Sequence, residues 1–516
     1  MLVSGTNLVR LGLVSLSILL SCLSNPGGLA DLSWLAWISL APLFIAVRGS
    51  SAKSCAGLFF FWGFCWWAWS IDWLTPAIAA FTGSQALTAT VAWLCLSALL
   101  ALPYAVIGIF WSLIQFTAHS VINALLSALL FSSSYIAFAT LIPGSIAQTQ
   151  FENLAVIQLV DIGGVGLLLF TMVLFNKIIA NICSTNKRKN NRLHNIAAAL
   201  LLTGGVFSYG YYSIDKYRAE NTTQQLRVGL IQPNLSPQDN TLALFDLSKQ
   251  LSQQHSGTGP ELIVWPEFPP AFSWQESHND RQRVTQLIEQ IETPILLNSG
   301  YVYPTSNSAG NRDGYYNANQ LISADGKLIA SYHKQQLVPF FEFLPLQKQL
   351  PILSRWFPET LNYKTGPAAD AVEITPTIHA ATPICYEILF SERLRLQDFN
   401  IIINPSNDSW FDHRSRASIS HLALGTFRAI EYRSPWLRVS NGGISLALDS
   451  RGDVVDGSRL NANSVATGIA TLPIFNTQTL YQRYGLVLNY GGSALTIFCL
   501  IIGYNRQRKY LEKLIH

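Results

Sequence analysis

Three short segments hold residues whose types can do chemistry together. They are Trp265-Pro266-Glu267, the run Tyr332-His333-Lys334-Gln335-Gln336-Leu337-Val338-Pro339-Phe340-Phe341-Glu342, and Ile384-Cys385-Tyr386-Glu387. A thiol is a good nucleophile only as its thiolate. A carboxylate such as Glu267 can take the proton as general base. An ammonium such as Lys334 can steady the thiolate and then a tetrahedral oxyanion. Glu342 would orient that lysine and hold its charge, because a buried lysine without such partners tends to lose its proton. Tyr386 and Glu387 flank the thiol and would shape its pocket. Taken singly, each residue has a plainer reading. An acid after a strand is usually a surface residue or a helix cap, a lysine there is usually solvated, and a lone cysteine packs as a small hydrophobe.

Cys385 stands apart among seven cysteines. Cys22, Cys55, Cys65, Cys95, Cys183 and Cys499 lie in or beside apolar runs, where packing is the default. Only Cys385 falls in a stretch of ordinary soluble composition. A thiol without a partner in its own domain points to reactivity or to an intermolecular bond.

The elements that must position these residues read as α/β. Leu226–Ile231, Glu261–Val264, Pro294–Gly300, Ala380–Cys385 and Asn400–Ile403 read as buried strands. Helical segments near 242–255, 280–292 and 415–433 fall between strands. Asp325-Gly326 predicts a hairpin, and Leu437–Ser450 with the stretch after Asp453 predicts another, turning near Arg451-Gly452. Alternating strands and helices imply layered packing. The reactive types sit where buried strands end, the usual ligand position of open α/β sheets.

Around this stretch the composition changes. Of 516 residues, 49% are apolar and only 12% are charged, against about 25% charged in a typical soluble protein. Residues 1–213 are nearly free of charge, and another apolar run lies near the C-terminus. A bilayer core takes roughly 20 apolar residues in helix. Spans are predicted near 8–25, 33–47, 55–77, 87–113, 120–141, 160–182, 194–213 and 483–503. Arg48 and Lys53, then Lys187, Arg188, Lys189 and Arg192, then Arg506, Arg508, Lys509 and Lys513 all fall on one side of eight spans. That side is cytoplasmic by the positive-inside rule, so the N-terminus is inside and residues 215–480 are outside. Residues 1–24 read alternatively as a signal peptide, but their basic start is only Arg10. The aromatic run from Phe59 to Trp73 reads as an interfacial belt or as a greasy surface for acyl chains. Asp161 reads as an interfacial cap or, less simply, a proton relay. The net charge of +4 shows no basic stripe, zinc-type spacing or phosphate loop, which argues against nucleic acid and a metal.

The three segments, in this order and inside this layout, resemble the nitrilase superfamily and, within it, the bacterial apolipoprotein N-acyltransferase family, end to end. The resemblance implies a multi-pass helical membrane domain at 1–214, an extracytoplasmic nitrilase-like αββα sandwich at 215–480, and a final span with a basic tail at 481–516. It implies a Glu267-Lys334-Cys385 triad with Glu342, Tyr386, Glu387, Asn317, Asn407 and Trp410 in support. Asn404, His421, Arg428, Glu431, Arg438 and Asn441-Gly442 match further family positions, mostly loop-holding ones. It implies an inner-membrane enzyme with no cofactor or metal. A phospholipid would supply the acyl group, and a diacylated apolipoprotein would accept it by a ping-pong route. The chain departs from the family pattern at Phe341, where glycine is usual, after Asn234, where a Lys-Trp segment is usual, and after Phe411, where Asp412-His413-Arg414-Ser415-Arg416 replaces a glycine. Val338–Phe341 and Leu350–Leu353 read either as arms that enter the bilayer or as ordinary core. Rival readings are an anchored amidase, an acyltransferase with another acceptor, a non-catalytic lipoprotein binder and a transporter.

Overall fold

The computed structural model describes all residues except 1, 29, 83–85, 116–118, 139–140, 184–188, 223, 237–240, 255–258, 268–271, 303–314, 358–359, 412–415 and 516. Lys187 and Arg188, the 237–239 segment and residues 412–415 therefore lie outside the described residues. The chain divides into two compact units. One comprises Met1–Asp72, Thr90–Lys216 and Gln478–His516, and the other Trp73–Ala89 and Tyr217–Thr477.

The first unit is helical. Four helical stretches, Ala86–Ile114 (its first four residues grouping with the other unit), Ser120–Ala137, Val160–Ile182 and Leu480–Lys509, are long and apolar enough to cross a membrane. The expected count of eight is not reached on these grounds among the described residues. Asn7–Leu23 and Ser33–Ala46 are apolar but shorter. Tryptophan, glycine and serine dilute the hydropathy of Ala52–Ser70, as polar residues and glycines do that of Lys189–Lys216. The span expected at 55–77 stops at Ser70, and a separate helix, Leu74–Thr82, groups with the other unit. The span expected at 33–47 is a 3-10 turn, Ser33–Trp37, followed by the short helix Ala41–Ala46. Asn176 makes that break tolerable. Its Oδ1 accepts from the backbone N–H of Leu40 (2.8 Å) and Ala41 (3.2 Å), and its Nδ2 donates to the carbonyls of Ala36 and Met172. In an apolar surround every such backbone group must find a partner inside the protein.

The second unit holds two sheets built from eleven strands: β1 (Gln225–Gln232), β2 (Leu262–Val264), β3 (Ile295–Val302), β4 (Tyr315–Ile322), β5 (Leu328–His333), β6 (Val372–Thr375), β7 (Ile378–Ala381), β8 (Ile401–Asn407), β9 (Trp436–Asn441), β10 (Leu446–Leu448) and β11 (Ala466–Pro473). They run in the orders β11-β1-β2-β3-β4-β5 and β10-β9-β8-β7-β6, with parallel centres and antiparallel edges. Period-2 alternation sorts the faces. Leu230, Leu262, Val264 and Leu296 meet Ile401, Ile403, Leu437 and Val439 between the sheets. Their neighbours Ile231, Ile263, Ile295 and Leu297 face outward onto the helices Leu242–Gln254 and His278–Ile291 through Leu244, Leu251, Val284 and Leu287. Each such side chain, fully buried, contributes about 1.5–3 kcal/mol. The helix Ala417–Tyr432 lies on the outer face of the second sheet. A Cβ at Gly425 would come within 2.5 Å of the Trp436 ring, so even alanine there would displace it.

Two strand expectations change. The predicted strand Ala380–Cys385 ends at Ala381, and Cys385 instead opens the 3-10 turn Cys385–Leu389. The second predicted hairpin reverses at Gly442-Gly443 between β9 and β10, with only a tight turn and an isolated bridge around Arg451-Gly452. The strand beyond it, β11, joins the edge of the first sheet beside β1.

Candidate active site

Glu267 follows β2 by three residues, and its backbone N–H donates to the Ser406 carbonyl of β8 in the facing sheet (3.2 Å). Lys334 follows β5 directly, with its N–H on the Asn317 carbonyl of β4 (2.8 Å). Its Nζ donates to Glu267 Oε1 at 3.1 Å and to Glu342 Oε1 at 2.8 Å, with the lysine 1% exposed. Asn317 donates from Nδ2 to the same two oxygens, at 2.7 and 3.2 Å. Asn298 of β3 fixes that amide by donating to Asn317 Oδ1 (2.8 Å) and also donates to Asn319 Oδ1 (3.0 Å). Asn319 in turn donates to the Thr382 carbonyl, three residues before the thiol. Glu342 spends its second oxygen on the Val338 N–H (2.8 Å). Two carboxylates, one ammonium and one oriented amide thus form a buried cluster at one end of the first sheet.

Burial works against the Lys334 ammonium. Glu267, Glu342 and Cys385 outweigh it and hold the lysine well above its ordinary value, so it stays charged. Burial pushes Glu342 up, against the pull of Lys334. The Cys385 thiol is raised well above its ordinary range, first by burial and then by Glu267, with Lys334 and the Asn407 N–H opposing. The resting sulfur is therefore protonated, and a base is needed to unmask it.

Cys385 has φ +50, the left-handed region that non-glycine residues rarely adopt. Its carbonyl is gripped by Asn404 Nδ2 (3.3 Å), which also binds the Pro383 carbonyl (2.8 Å), and by His421 Nε2 (3.2 Å). Glu387 is buried and fully engaged. It accepts from the N–H groups of Gln335 (2.6 Å), Gln336 (2.8 Å) and Ile384 (2.8 Å) and from the Tyr332 hydroxyl. It ties the turn carrying Cys385 to the strand end carrying Lys334, rather than only shaping a pocket. Tyr386 packs edge-on to Phe390, and burial raises its hydroxyl. Asn407 turns its side chain toward Ser409 and Asn441 and presents its backbone to the sulfur. Trp410 meets the ring of Phe341 edge-on at 4.6 Å. Leu350 and Ile352, read as arm or core, are 47% and 43% exposed, which excludes the core.

Asn298 and Asn319 were not singled out from sequence. Their signal is that asparagine is disfavoured in strands, yet here it recurs in buried ones. Behind the thiol, Arg438 Nη2 reaches Asp408 Oδ2 at 2.6 Å, and His421 Nδ1 lies 3.7 Å from Asp408 Oδ1. Among the described residues no acidic, histidine or cysteine cluster could hold a metal.

The arrangement can unmask a thiol, stabilise an oxyanion and shuttle one proton. Two family models match the chain: carbon-nitrogen hydrolase over residues 227–482 and apolipoprotein N-acyltransferase N-terminal domain over 17–178. The apolipoprotein N-acyltransferase of Geobacter metallireducens is 28% identical over 91% of this chain and 90% of its own length. That of Pasteurella multocida is 26% identical over 93% of each. An amidase from Nesterenkonia sp. superposes on 51% of this chain and 96% of its own with a TM-score of 0.37 at 17% identity, a likeness too slight to argue from. With both halves matched in order and relatives of equal length aligned along nine-tenths of it, the chain belongs to the apolipoprotein N-acyltransferase family.

Proposed function

We propose that this protein N-acylates lipoproteins, moving a fatty acyl group through a thioester on Cys385. The observation that carries the mechanism is the buried Lys334 ammonium, hydrogen-bonded to Glu267 and Glu342 and within electrostatic reach of the Cys385 thiol. Glu267 takes the Sγ proton as the sulfur attacks an ester carbonyl of a phospholipid. Lys334 stabilises the oxyanion. The tetrahedral intermediate collapses, and the lysophospholipid alkoxide leaves with the proton from Glu267. The free α-amine of an S-diacylglyceryl-cysteine then attacks the thioester and gives its proton to Glu267. An amide forms, and the thiolate departs and recovers that proton. Glu342 and Asn317 hold the lysine and the base in register throughout, and Glu387 holds the nucleophile turn against them.

The eight-span layout, with 1–214 and 481–516 in the inner membrane and 215–480 in the periplasm, is part of the same proposal. The basic residues Arg48, Lys53, Lys189, Arg192, Arg506, Arg508 and Lys509 support it by falling on one side. The names of the full-length relatives favour acyl transfer to lipoproteins over amide hydrolysis.

Mass spectrometry of the full chain incubated with phospholipid tests the first half-reaction. An acyl adduct on the peptide bearing Cys385, discharged by a diacylated lipopeptide to a triacylated product, is expected. Triacylated product from the Cys385→Ala variant would defeat the reading, and discharge only to free fatty acid would point to a hydrolase.

A further inference from the structure

A second set of cations gathers in the helical unit, in residues with no part in the proposed reaction. A cavity of about 300 Å³ is lined by Arg48, Ser50, Trp111, Gln115, Asn123 and Lys177, among others, and by no carboxylate among the described residues. Lys177 is 3% exposed and lies over the Trp111 ring at 4.7 Å and the Phe44 ring at 5.6 Å. Among the described residues Arg48 Nη2 donates to the Ala180 carbonyl (2.7 Å) and to Asn181 Oδ1 (3.2 Å). The Ser50 hydroxyl is closed to solvent and has no hydrogen-bond partner among the described residues.

Two positive side chains, an orphaned hydroxyl and side-chain amides around one cavity make a donor-rich, acid-free site, the chemistry that receives an oxyanion. Its depth narrows the ligand. Lys177 lies five residues before the end of the helix Val160–Ile182, or about 8 Å at 1.5 Å per residue. That places it within the last two turns of a helix long enough to cross a bilayer core about 30 Å thick. Basic pockets between membrane helices suit the phosphate of an anionic lipid. The plain alternative, that Arg48 merely caps a helix end and Lys177 merely stacks on rings, accounts for both cations but leaves the Ser50 hydroxyl and the cavity unused.

We propose that Arg48, Lys177 and Ser50 bind the phosphate of an anionic phospholipid headgroup, at a site distinct from Cys385. The inference goes beyond the acyl-transfer reading and does not depend on it. The test is native mass spectrometry of the full chain in mild detergent, with equal amounts of phosphatidylglycerol and phosphatidylcholine. Preferential retention of phosphatidylglycerol is expected. Lys177→Met should lower it about five- to tenfold, as for one basic group at a membrane surface, while Lys177→Arg keeps it. Ser50→Ala, which removes no charge, should lower it about two- to threefold and keeps the test open if Lys177→Met does not fold. Acylation of Cys385 should be unchanged in Ser50→Ala and Lys177→Met, so failure here is separable from failure of the proposed reaction. Equal retention of both lipids, or undiminished retention in Lys177→Met, would overturn the site. Displacement by millimolar inorganic phosphate would overturn its lipid assignment.

Discussion

Lys334 in the α/β unit and Lys177 in the helical unit are both almost closed to solvent, at 1% and 3% exposure, yet their surroundings differ in kind. Lys334 sits against two carboxylates and an amide, all held by strands and by further asparagines. Lys177 lies over two aromatic rings beside a cavity that no described carboxylate lines. A permanently neutralised ammonium suits a site where charge appears and vanishes during reaction, because nothing need be recruited to hold it. An ammonium beside rings and a donor-lined cavity leaves room for a charge that arrives with a ligand. Burial alone therefore does not tell the two lysine sites apart. The partners do.

The sharpest break of this contrast is at the reaction centre. Cys385→Ala should abolish acyl transfer, by about 10⁴-fold or more in turnover, while leaving phosphatidylglycerol retention intact. Next, Glu267→Gln should slow turnover by about 10²–10⁴-fold, the usual contribution of a general base. Because Glu267 helps push the thiol up, the same variant should make Cys385 titrate at lower pH than the wild type. The pH dependence of iodoacetamide alkylation reads this out, and an unchanged midpoint would deny that the carboxylate faces the sulfur. Lys334→Met, which removes the proposed oxyanion donor, should lose about 10²–10³-fold in turnover, where Lys177→Met loses none.

A smaller effect concerns the ion pair behind the thiol. Burial raises Asp408, but Arg438, His421 and Ser418 together outweigh burial and hold the carboxyl below the usual range. A depressed acid contributes stability that is present above its unfolded value, about pH 4, and is lost as pH falls below it. Burial and Arg438 both depress His421, so its protonation adds loss in the same direction, beginning near pH 6.5. Asp408→Asn should flatten the acid limb below pH 4. It should also cost about 3–5 kcal/mol at neutral pH, since it leaves Arg438 buried without its counter-charge. Thermal melts across pH would show both.

Much of this was legible in the residues. Buried strands at 226–231, 261–264 and 294–300 announced themselves by short runs rich in apolar residues, and Asp325-Gly326 by turn chemistry realised with Gly326 at φ +78. Hydropathy separated the helical segments from the α/β stretch, because membrane and water select opposite compositions. It drew span bounds that the helices do not keep where the backbone breaks, at Ser70 and between Trp37 and Ala41, since composition does not register a break that a side chain such as Asn176 repairs from another helix.

What the sequence by itself determined was therefore the local and additive part: which runs are strands, which are apolar helices, and that an acid, a lysine and a lone cysteine follow strand ends. The structure alone decided that Glu267 and Glu342, 75 residues apart, share one ammonium and one amide, and that Glu387 joins the turn of Cys385 to the end of β5. It also decided that the Cys385 carbonyl is held by residues 19 and 36 positions away. Strand propensity and hydropathy are properties of neighbours along the chain, whereas electrostatic pairing falls steeply with distance through space and so depends on sheet order and register.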